Sequence, residues 1–198
     1  MENEYKRLNR TLVHKGHIVD FYEDELKLAN ESVVKWDYIH HNGASAIVPV
    51  DKDGRIIMVK QYRIGTETEL IEIPAGGINA GEDPYQAAER ELTEETGYVA
   101  GRIKHLIDVY SAPAYTSECV YIYYAEELTE AEKNPDEDEI IEVVRYTVPE
   151  LLDMIMDGRI VDGKTIAGIF AFSTSLLIQA ITVEFVDKCG GFQKGCYQ

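Results

Sequence analysis

The sequence has few basic residues for its size, few cysteines and a single tryptophan. Its 198 residues include 19 lysines and arginines against 36 aspartates and glutamates, so the formal net charge is −17. Nucleic acids and anionic membrane surfaces bind basic proteins, and this balance argues against both as partners. An anionic small-molecule substrate would therefore need a metal ion or local arginines to be held.

The three cysteines, Cys119, Cys189 and Cys196, are too few and too unevenly spaced for a disulfide framework, and no Cys-x-x-Cys pair is present. We interpret them as free thiols. The glycine-rich segment 189–196 could bridge or bind a metal, although a loose terminus is the simpler interpretation. We identify no apolar run of the roughly 18 residues that a membrane helix needs and no signal-peptide core, so a cytoplasmic location is expected.

The most informative segment is 76–98, GGINAGEDPYQAAERELTEETGY. Asp83 followed by Pro84 predicts a helix start, with Asp as the N-cap and Pro at the first helical position, and Gly97 predicts the end. We therefore expect a helix over Pro84–Thr96 with an apolar stripe that faces a core. The stripe consists of Tyr85, Ala88 and Leu92.

Three glutamates, Glu91, Glu94 and Glu95, crowd the last turns of this helix, where the helix dipole disfavours anions. Arg90 lies four residues before Glu94 and is predicted to pair with it, which leaves Glu91 and Glu95 on one face without a cation. Carboxylates at this spacing are suitable ligands for Mg²⁺ or Mn²⁺. A solvated acidic face is the alternative, because charged helix positions usually only face water.

The segment matches the Nudix box, G-x5-E-x7-R-E-U-x-E-E-x-G-U, in which U is a bulky apolar residue. The matching residues are Gly76, Glu82, Arg90, Glu91, Leu92, Glu94, Glu95, Gly97 and Tyr98. Only Tyr98 departs slightly, since an aliphatic residue is commoner at that position. A pattern of this length is far more specific than a lone glycine motif, and the chain resembles a Nudix hydrolase.

Flanking segments resemble the ADP-ribose pyrophosphatase branch of that family. Residues 59–63, VKQYR, and 69–76, ELIEIPAG, are similar to the branch's strand and approach loop, and Pro113 lies sixteen residues after Gly97, where the branch has its secondary signature. The resemblance covers roughly residues 44–181. It implies metal-dependent hydrolysis of the pyrophosphate bond of ADP-ribose or a related nucleoside diphosphate sugar, which for ADP-ribose gives AMP and ribose 5-phosphate.

Two alternatives remain open. The substrate could be GDP-mannose, another nucleotide sugar or NADH, because the segment 36–44, WDYIHHNGA, departs at Trp36 and Asn42 from the branch pattern Arg-Glu-apolar-apolar-x-His-Pro-Gly-Ala. A Nudix domain without catalysis could instead sense a nucleotide. Such domains usually lose box glutamates, whereas this chain keeps them all.

The resemblance also implies roles for individual residues. The implied ligands of Mg²⁺ (or Mn²⁺) are Glu91, Glu95 and the backbone carbonyl of Ala75, with Glu94 as a further ligand or water-binder. Arg90 would orient the glutamates. For Glu82 a structural role and a metal-linked role are equally open.

A general base is expected from elsewhere, because carboxylates that hold a metal have depressed pKa values and accept protons poorly. In the resembled branch a mobile acidic loop supplies the base. Here that loop is residues 134–142, NPDEDEIIE, and matching its end to the family selects Glu139, with Glu137 as the second choice. The alternative is that the acidic run is only solvated.

Substrate contacts are expected from residues that flank the box. Arg63 fits the branch's phosphate-binding arginine, although an ion pair with Glu67 or Glu69 is an alternative. Trp36 could stack on a base or belong to the core. The other substrate-binding candidates are Glu72, Gly76, Pro113 and Tyr115.

The expected fold class is α+β, a Nudix-type α/β/α sandwich with a mixed sheet plus a small N-terminal antiparallel sheet. Strands are predicted over 44–50, 55–61, 69–73, 103–109, 120–125 and 140–147, and helices over 149–156 and 165–181. The residues 51–54 predict a hairpin between the first two of these strands.

Before residue 44, the segments 17–28 and 32–39 are predicted as the strands of the N-terminal sheet. In the resembled branch this region pairs with its copy in a second subunit, so a homodimer is implied. The expected division is 1–43 as the N-terminal sheet region, 44–185 as the Nudix hydrolase domain and 186–198 as a flexible tail.

Overall fold

The computed structural model describes residues 5–133 and 140–190, with side chains as far as residue 182. In chain order its elements are β1 Tyr5–Lys15, β2 Asp20–Leu28, β3 Val33–His40, β4 Ala44–Pro49, β5 Ile56–Arg63, β6 Thr68–Glu72, β7 Ala75–Gly77, α1 Pro84–Thr96, β8 Tyr98–Tyr110, β9 Cys119–Glu130, β10 Glu142–Tyr146, α2 Val148–Met156 and α3 Gly163–Gly190. The strands predicted from residue 44 onward are all present, and β8 and β9 are longer than expected.

A four-stranded mixed sheet in the order β7-β4-β9-β8 carries the core. β4 and β9 run parallel, and the other neighbours are antiparallel. Because side chains alternate along a strand, Ile47 packs with Leu92 of α1 on one face, while Ala46 and Val48 join the cluster formed with α2 and α3 on the other. Helices therefore cover both faces, which confirms the expected sandwich.

A second, antiparallel sheet has the order β10-β5-β6. The turn after β4 forms, with Asp51 N donating to Arg55 O, but a single bridge between Val50 and Ile56 is what joins the strands on its two sides. The predicted turn is therefore present, but the prediction that β4 and β5 pair as a hairpin is wrong, since the two strands belong to different sheets. β6 and β7 are edge strands of the two sheets, and the connection through Pro74 runs between them.

The N-terminal strands β1, β2 and β3 form their own antiparallel sheet. The separate sheet was predicted, but its first strand, Tyr5–Lys15, was not, because its polar sequence shows no clear alternation. The end of β3 is tied to the connection between β8 and β9, where Ile39 N donates to Tyr115 O and Ser117 N donates to Ile39 O.

Helix α3 extends well beyond the predicted range of 165–181. Its stretch Gly163–Thr182 is long and apolar enough to cross a membrane by length and composition, contrary to our identification of no such run. A core helix can have the same composition, and Ile169 and Phe172 pack against the central sheet. The exposed apolar side chains of this helix include Phe170, Leu176, Leu177, Ile178 and Ile181.

Of the cysteines, Cys119 is a buried free thiol at the start of β9. Burial raises the pKa of this thiol. The side chain of Cys189 and all of Cys196 lie outside the described residues.

The N-terminal sheet contains one well-shielded ion pair. Arg10 Nε and Nη2 each donate to one oxygen of Asp24 at 2.6 Å, and the guanidinium lies 3.6 Å from the centre of the Tyr38 ring. The Asp24 side chain is only 9% exposed. The Arg10 guanidinium holds the pKa of Asp24 below its ordinary value.

We predict that Asp24→Asn destabilises the N-terminal sheet at pH 7 by about 1–2 kcal/mol, because it leaves a shielded arginine without its anion. The pKa of Asp24 is lower in the folded protein than in the unfolded chain. The stabilisation is therefore fully present at pH values above the pKa of Asp24 in the unfolded chain, and it is lost as the pH falls through its pKa in the folded protein. Trp36 faces Asp24 in the β2–β3 register, so its fluorescence during thermal unfolding reports on this sheet.

The matched control is Glu23→Gln, which removes the exposed pair of Glu23 with Lys35 on the same sheet. It should shift the melting curve much less at pH 7. An Asp24→Asn deficit that stayed constant down to pH 3 would contradict the role assigned to the ionised carboxylate.

Candidate active site

Helix α1 spans Pro84–Thr96, as predicted. The Asp83 side chain accepts hydrogen bonds from two backbone amides of the first turn, and Gln86 Oε1 accepts one in return from Asp83 N at 3.3 Å. This capping box fixes the start of the helix. Gly97 ends it with a φ of 74°, a left-handed conformation that favours glycine.

The apolar stripe of α1 is only partly buried. Ala88 and Leu92 are fully buried, as expected, but Tyr85 is 44% exposed and meets Tyr123 edge-on. The helix instead buries two of its glutamates, Glu91 and Glu95. The helix therefore presents charge as well as apolar surface to the rest of the fold.

Three acidic residues of the box, Glu82, Glu91 and Glu94, pair with the guanidinium of Arg90. Its Nε and Nη2 donate to the two oxygens of Glu82 at 2.8 and 3.0 Å. Its Nη1 donates to Glu91 Oε1 at 2.6 Å and to Glu94 Oε2 at 2.8 Å, and Nη2 also donates to Gly77 O at 2.9 Å. The prediction that Arg90 leaves Glu91 without a cation is therefore wrong, because both glutamates share Nη1.

The electrostatics of this group follow from these contacts. Arg90 holds the pKa of Glu82 below its ordinary value, and the surrounding carboxylates raise the pKa of Arg90. Glu82 Oε2 also accepts from Asn79 N at 2.9 Å, so its carboxylate ties the loop before α1 to the helix. These contacts give Glu82 a structural role, which is to join the loop before α1 to the helix through Arg90.

Glu91 and Glu95 both lie against the backbone of residues 75–76. Glu95 Oε2 accepts a hydrogen bond from Ala75 N at 2.9 Å, and Gln61 Nε2 lies 3.5 Å from its other oxygen. Glu91 lies directly beside Gly76, where an added Cβ would fall 1.9 Å from Glu91 Oε1. The two carboxylates, one helical turn apart, therefore meet the backbone of β7 at neighbouring residues.

A second charged group lies at the end of β6. Arg63 Nε and Nη2 donate to the two oxygens of Glu72 at 2.9 and 2.7 Å, and Glu72 is 1% exposed. The alternative pairing of Arg63 with Glu67 or Glu69 is therefore wrong for this structure. The Glu72 carboxylate raises the pKa of Arg63.

Sequence reasoning missed two polar side chains of this region. Lys164 donates to Glu72 Oε2 at 2.5 Å from the first turn of α3, and Gln61 approaches Glu95 from β5. Lys164 is the second residue of an apolar helix and lies 92 residues from its partner in the sequence, so no local pattern reveals the contact. Gln61 was visible only as a polar residue in a strand that is otherwise buried on that side.

The remaining predicted residues are distributed around this region. Pro113 and Tyr115 lie in the connection between β8 and β9, beside the end of β3. Trp36 lies on β3 in the N-terminal sheet, 49% exposed and 5.8 Å from the Tyr5 ring centre, so the core alternative is wrong for it. Glu137 and Glu139 lie outside the described residues.

The slight departure of Tyr98 from the box has a local explanation. Arg145 Nη2 donates to the Tyr98 hydroxyl at 2.9 Å, and the guanidinium lies 5.8 Å from the ring centre. The phenol thus provides a hydrogen bond to β10 that an aliphatic residue cannot make.

A family model described as the NUDIX domain matches residues 39–167. The chain belongs to the Nudix family. The match spans β4 to β10, the helices α1 and α2 and the first turn of α3, so it includes both charged groups described above. Among the described side chains of this Nudix chain, those of residues 5–133 and 140–182, no three from His, Cys, Asp or Glu are gathered as a ready metal site.

Individual relatives agree with the family model. An ADP-ribose pyrophosphatase of Bacillus subtilis (strain 168) is 37% identical over 164 residues, which are 82% of this chain and 89% of the relative. A GDP-mannose pyrophosphatase of Yersinia pestis (strain Pestoides F) is 34% identical over 157 residues, 72% of this chain and 78% of the relative. The crystal structure of an ADP compounds hydrolase matches with a TM-score of 0.81 at 27% identity, covering 89% of this chain and 96% of that one. The predicted membership of the ADP-ribose pyrophosphatase-like branch is confirmed, and the chain is a Nudix hydrolase.

Gly76 provides a sharp test of the arrangement around Glu91. We predict that Gly76→Ala folds normally but lowers hydrolytic turnover about 10–100-fold, because the new methyl group displaces the Glu91 carboxylate by an ångström or more. Steady-state turnover and circular dichroism melting would measure both effects.

Gly77→Ala is the matched control, since an added Cβ at Gly77 meets nothing within 4 Å. It should retain turnover within about twofold of the unsubstituted protein. Equal turnover in the two variants would show that the Glu91 position does not matter for catalysis.

Proposed function

We propose that the chain hydrolyses the pyrophosphate bond of ADP-ribose or a related nucleoside diphosphate sugar, giving AMP and ribose 5-phosphate in the ADP-ribose case. The observation that carries the proposal is the pair of buried carboxylates, Glu91 and Glu95, that meets the backbone of Ala75 and Gly76. Relatives named ADP-ribose pyrophosphatase and GDP-mannose pyrophosphatase support the substrate class.

The cofactor in this proposal is Mg²⁺ (or Mn²⁺). The donors that would hold it are the carboxylates of Glu91, Glu95 and Glu94 and the backbone carbonyl of Ala75, all hard oxygen ligands that suit these ions. These residues suit a cation, because Arg90 supplies one positive charge to three carboxylates, those of Glu82, Glu91 and Glu94. The local net charge therefore remains negative. When bound, the ion would neutralise diphosphate charge and lower the pKa of the attacking water.

The protein's own residues would hold and orient the substrate. Glu72 binds Nε and Nη2 of Arg63, which leaves Nη1 to donate to a phosphate oxygen. Arg90 would act indirectly, because its five contacts fix the glutamates and the Gly77 carbonyl. Fixed groups of this kind stabilise a transition state without reorganising during the reaction.

For the general base we propose Glu139, with Glu137 as the second choice. Both belong to the acidic segment between β9 and β10, and they lie outside the described residues. The proposal is supported by the contacts of the other carboxylates, since Glu82, Glu91 and Glu94 are paired with Arg90, and Arg90 holds the pKa of Glu82 below its ordinary value.

We also propose a cytoplasmic homodimer that acts on a small molecule and binds neither nucleic acid nor membrane. The formal charge of −17 supports the exclusion of polyanionic partners. The N-terminal sheet supports the dimer, because its exposed large apolar residues include Tyr5, Leu8, Leu12, Val33 and Trp36. In a dimer Trp36 could complete a base-binding pocket with Pro113 and Tyr115.

The preferred substrate can be identified by a phosphate-release screen. Purified protein with Mg²⁺ or Mn²⁺ is given ADP-ribose, GDP-mannose, other nucleotide sugars and NADH, and a phosphatase then releases phosphate from the monoester products. We expect ADP-ribose to have the highest kcat/KM and chelation by EDTA to abolish turnover. A higher value for GDP-mannose would select the alternative, and no turnover of any compound would favour the nucleotide sensor.

Within this screen, Glu95→Gln should abolish metal-dependent turnover, with a loss of at least about 10³-fold, while the melting curve stays cooperative. The matched control is Glu89→Gln, since Glu89 lies on the exposed side of the same helix. Near-normal activity of Glu95→Gln would make the ligand assignment wrong.

Glu139→Gln should lower kcat about 10²–10⁴-fold and leave Mn²⁺ affinity unchanged, because a general base acts on the water and not on the metal. Glu132→Gln, a nearby exposed position between β9 and the acidic segment, serves as the control. Turnover and Mn²⁺ titration measure the two effects separately. A normal rate for Glu139→Gln would move the base to Glu137 or to another group.

A further inference from the structure

The first turn of α3 contacts the end of β6 and the connection that leads from β6 to β7. Lys164 Nζ donates to Glu72 Oε2 at 2.5 Å, and Thr165 Oγ1 accepts from Ile73 N at 3.0 Å. Two consecutive residues of the helix thus hold two consecutive residues of β6 and its continuation. Thr165 and Glu72 are 0% and 1% exposed, so these contacts are shielded from water.

The Lys164 ammonium is itself fixed on both sides. It lies 3.0 Å from Asp162 Oδ2 as well as 2.5 Å from Glu72, and its side chain is 15% exposed. Asp162 is held in turn, because its Oδ2 accepts from Thr165 N at 2.9 Å. A long, flexible lysine side chain is therefore confined to one position.

The four charges of this group balance. Arg63 and Lys164 are paired with Glu72 and Asp162, and Glu72 accepts hydrogen bonds from both cations. If the lysine charge were removed, the two carboxylates would share Arg63 alone. The guanidinium would then be drawn toward them, and a net negative charge would face an incoming diphosphate.

We propose that Lys164 is a positioning residue, which fixes the Glu72 carboxylate and through it the orientation of the Arg63 guanidinium toward the substrate diphosphate. The proposal rests on the proposed function, in that it takes Arg63 as a phosphate-binding group. Lys164 thereby links the start of α3 to substrate affinity across the sheet.

A direct contact of Lys164 with substrate is the competing role, and the structure makes it a real one. A cavity of about 380 Å³ opens beside Lys164, with Ser111, Glu118 and Asp162 in its wall. The two roles differ in one respect that experiment can measure. A positioning residue contributes to substrate affinity only while Arg63 is present, whereas a residue that contacts the substrate contributes to affinity independently of Arg63.

The test is a double-mutant cycle of Lys164→Met and Arg63→Met, read by calorimetric binding of the α,β-methylene analogue of ADP-ribose in the presence of Mg²⁺. This analogue is not hydrolysed, so binding is measured independently of turnover. We expect Lys164→Met to weaken binding about tenfold in the otherwise unchanged protein and less than about twofold in the Arg63→Met background. Lys164→Arg, which keeps the charge, should restore most of the affinity.

Steady-state kinetics add a second readout. Lys164→Met should raise KM for ADP-ribose about tenfold and change kcat by less than about threefold, because Arg63 binds the diphosphate before and during reaction. Lys104→Met, which removes an exposed lysine over the Tyr124 ring, is the control and should change neither parameter. Thermal melting of each variant separates loss of fold from loss of affinity.

Additive losses in the double mutant would overturn the proposal in favour of direct contact. Normal binding by Lys164→Met would overturn both the positioning role and the direct contact. If Lys164→Met does not fold, the same cycle is run with Lys164→Gln and Lys164→Arg. The proposal then requires the Lys164→Arg variant to bind the analogue more tightly than the Lys164→Gln variant, and only when Arg63 is present. An unsubstituted protein that binds the analogue but hydrolyses no nucleotide sugar would refute the proposed function and leave the cycle intact. An unsubstituted protein that neither binds the analogue nor hydrolyses any nucleotide sugar would refute both.

Discussion

The site depends on one cation held among several anions. Arg90 binds Glu82, Glu91 and Glu94 and also the Gly77 carbonyl, so a single guanidinium joins the helix to the end of β7 and to the loop before the helix. Like charges at the end of a helix repel one another and oppose the helix dipole. Arg90 offsets much of this repulsion, yet one positive charge cannot neutralise three carboxylates. The remaining negative charge is what suits the group to a divalent ion.

The parts of this arrangement that were predicted from sequence are the local ones. The bounds of α1 follow from the Asp83 side chain, the proline after it and the left-handed Gly97, all of which act within a single turn. The spacing of Glu91 and Glu95 then places both carboxylates on one side of the helix. The need for glycine at position 76 is not part of this local pattern, because it depends on the contact of that residue with Glu91. Local rules therefore define the acidic face and its direction.

The parts that were missed depend on contacts between distant segments. Residues 44–50 and 55–61 look like a hairpin, but β4 pairs with β9 and β5 with β6 and β10, because both faces of the central sheet must be covered. Lys164 resembles any lysine at the start of an apolar helix until α3 crosses the sheet. β1 was missed because its polar strand is exposed along nearly its whole length and has no buried face to reveal its period.

Contacts from α1 and from α3 hold the segment around Pro74 from opposite sides. From α1, Glu95 accepts the Ala75 amide, and from α3, Thr165 accepts the Ile73 amide, so the residues around Pro74 are fixed between the two helices. The chain as a whole is strongly acidic, and it would repel a nucleoside diphosphate at long range. Positive charge must therefore be concentrated at the point of binding and held in place there. Arg63 is held by two hydrogen bonds to Glu72, so under the proposed function it is a fixed cation that faces the diphosphate in a chain without a basic surface.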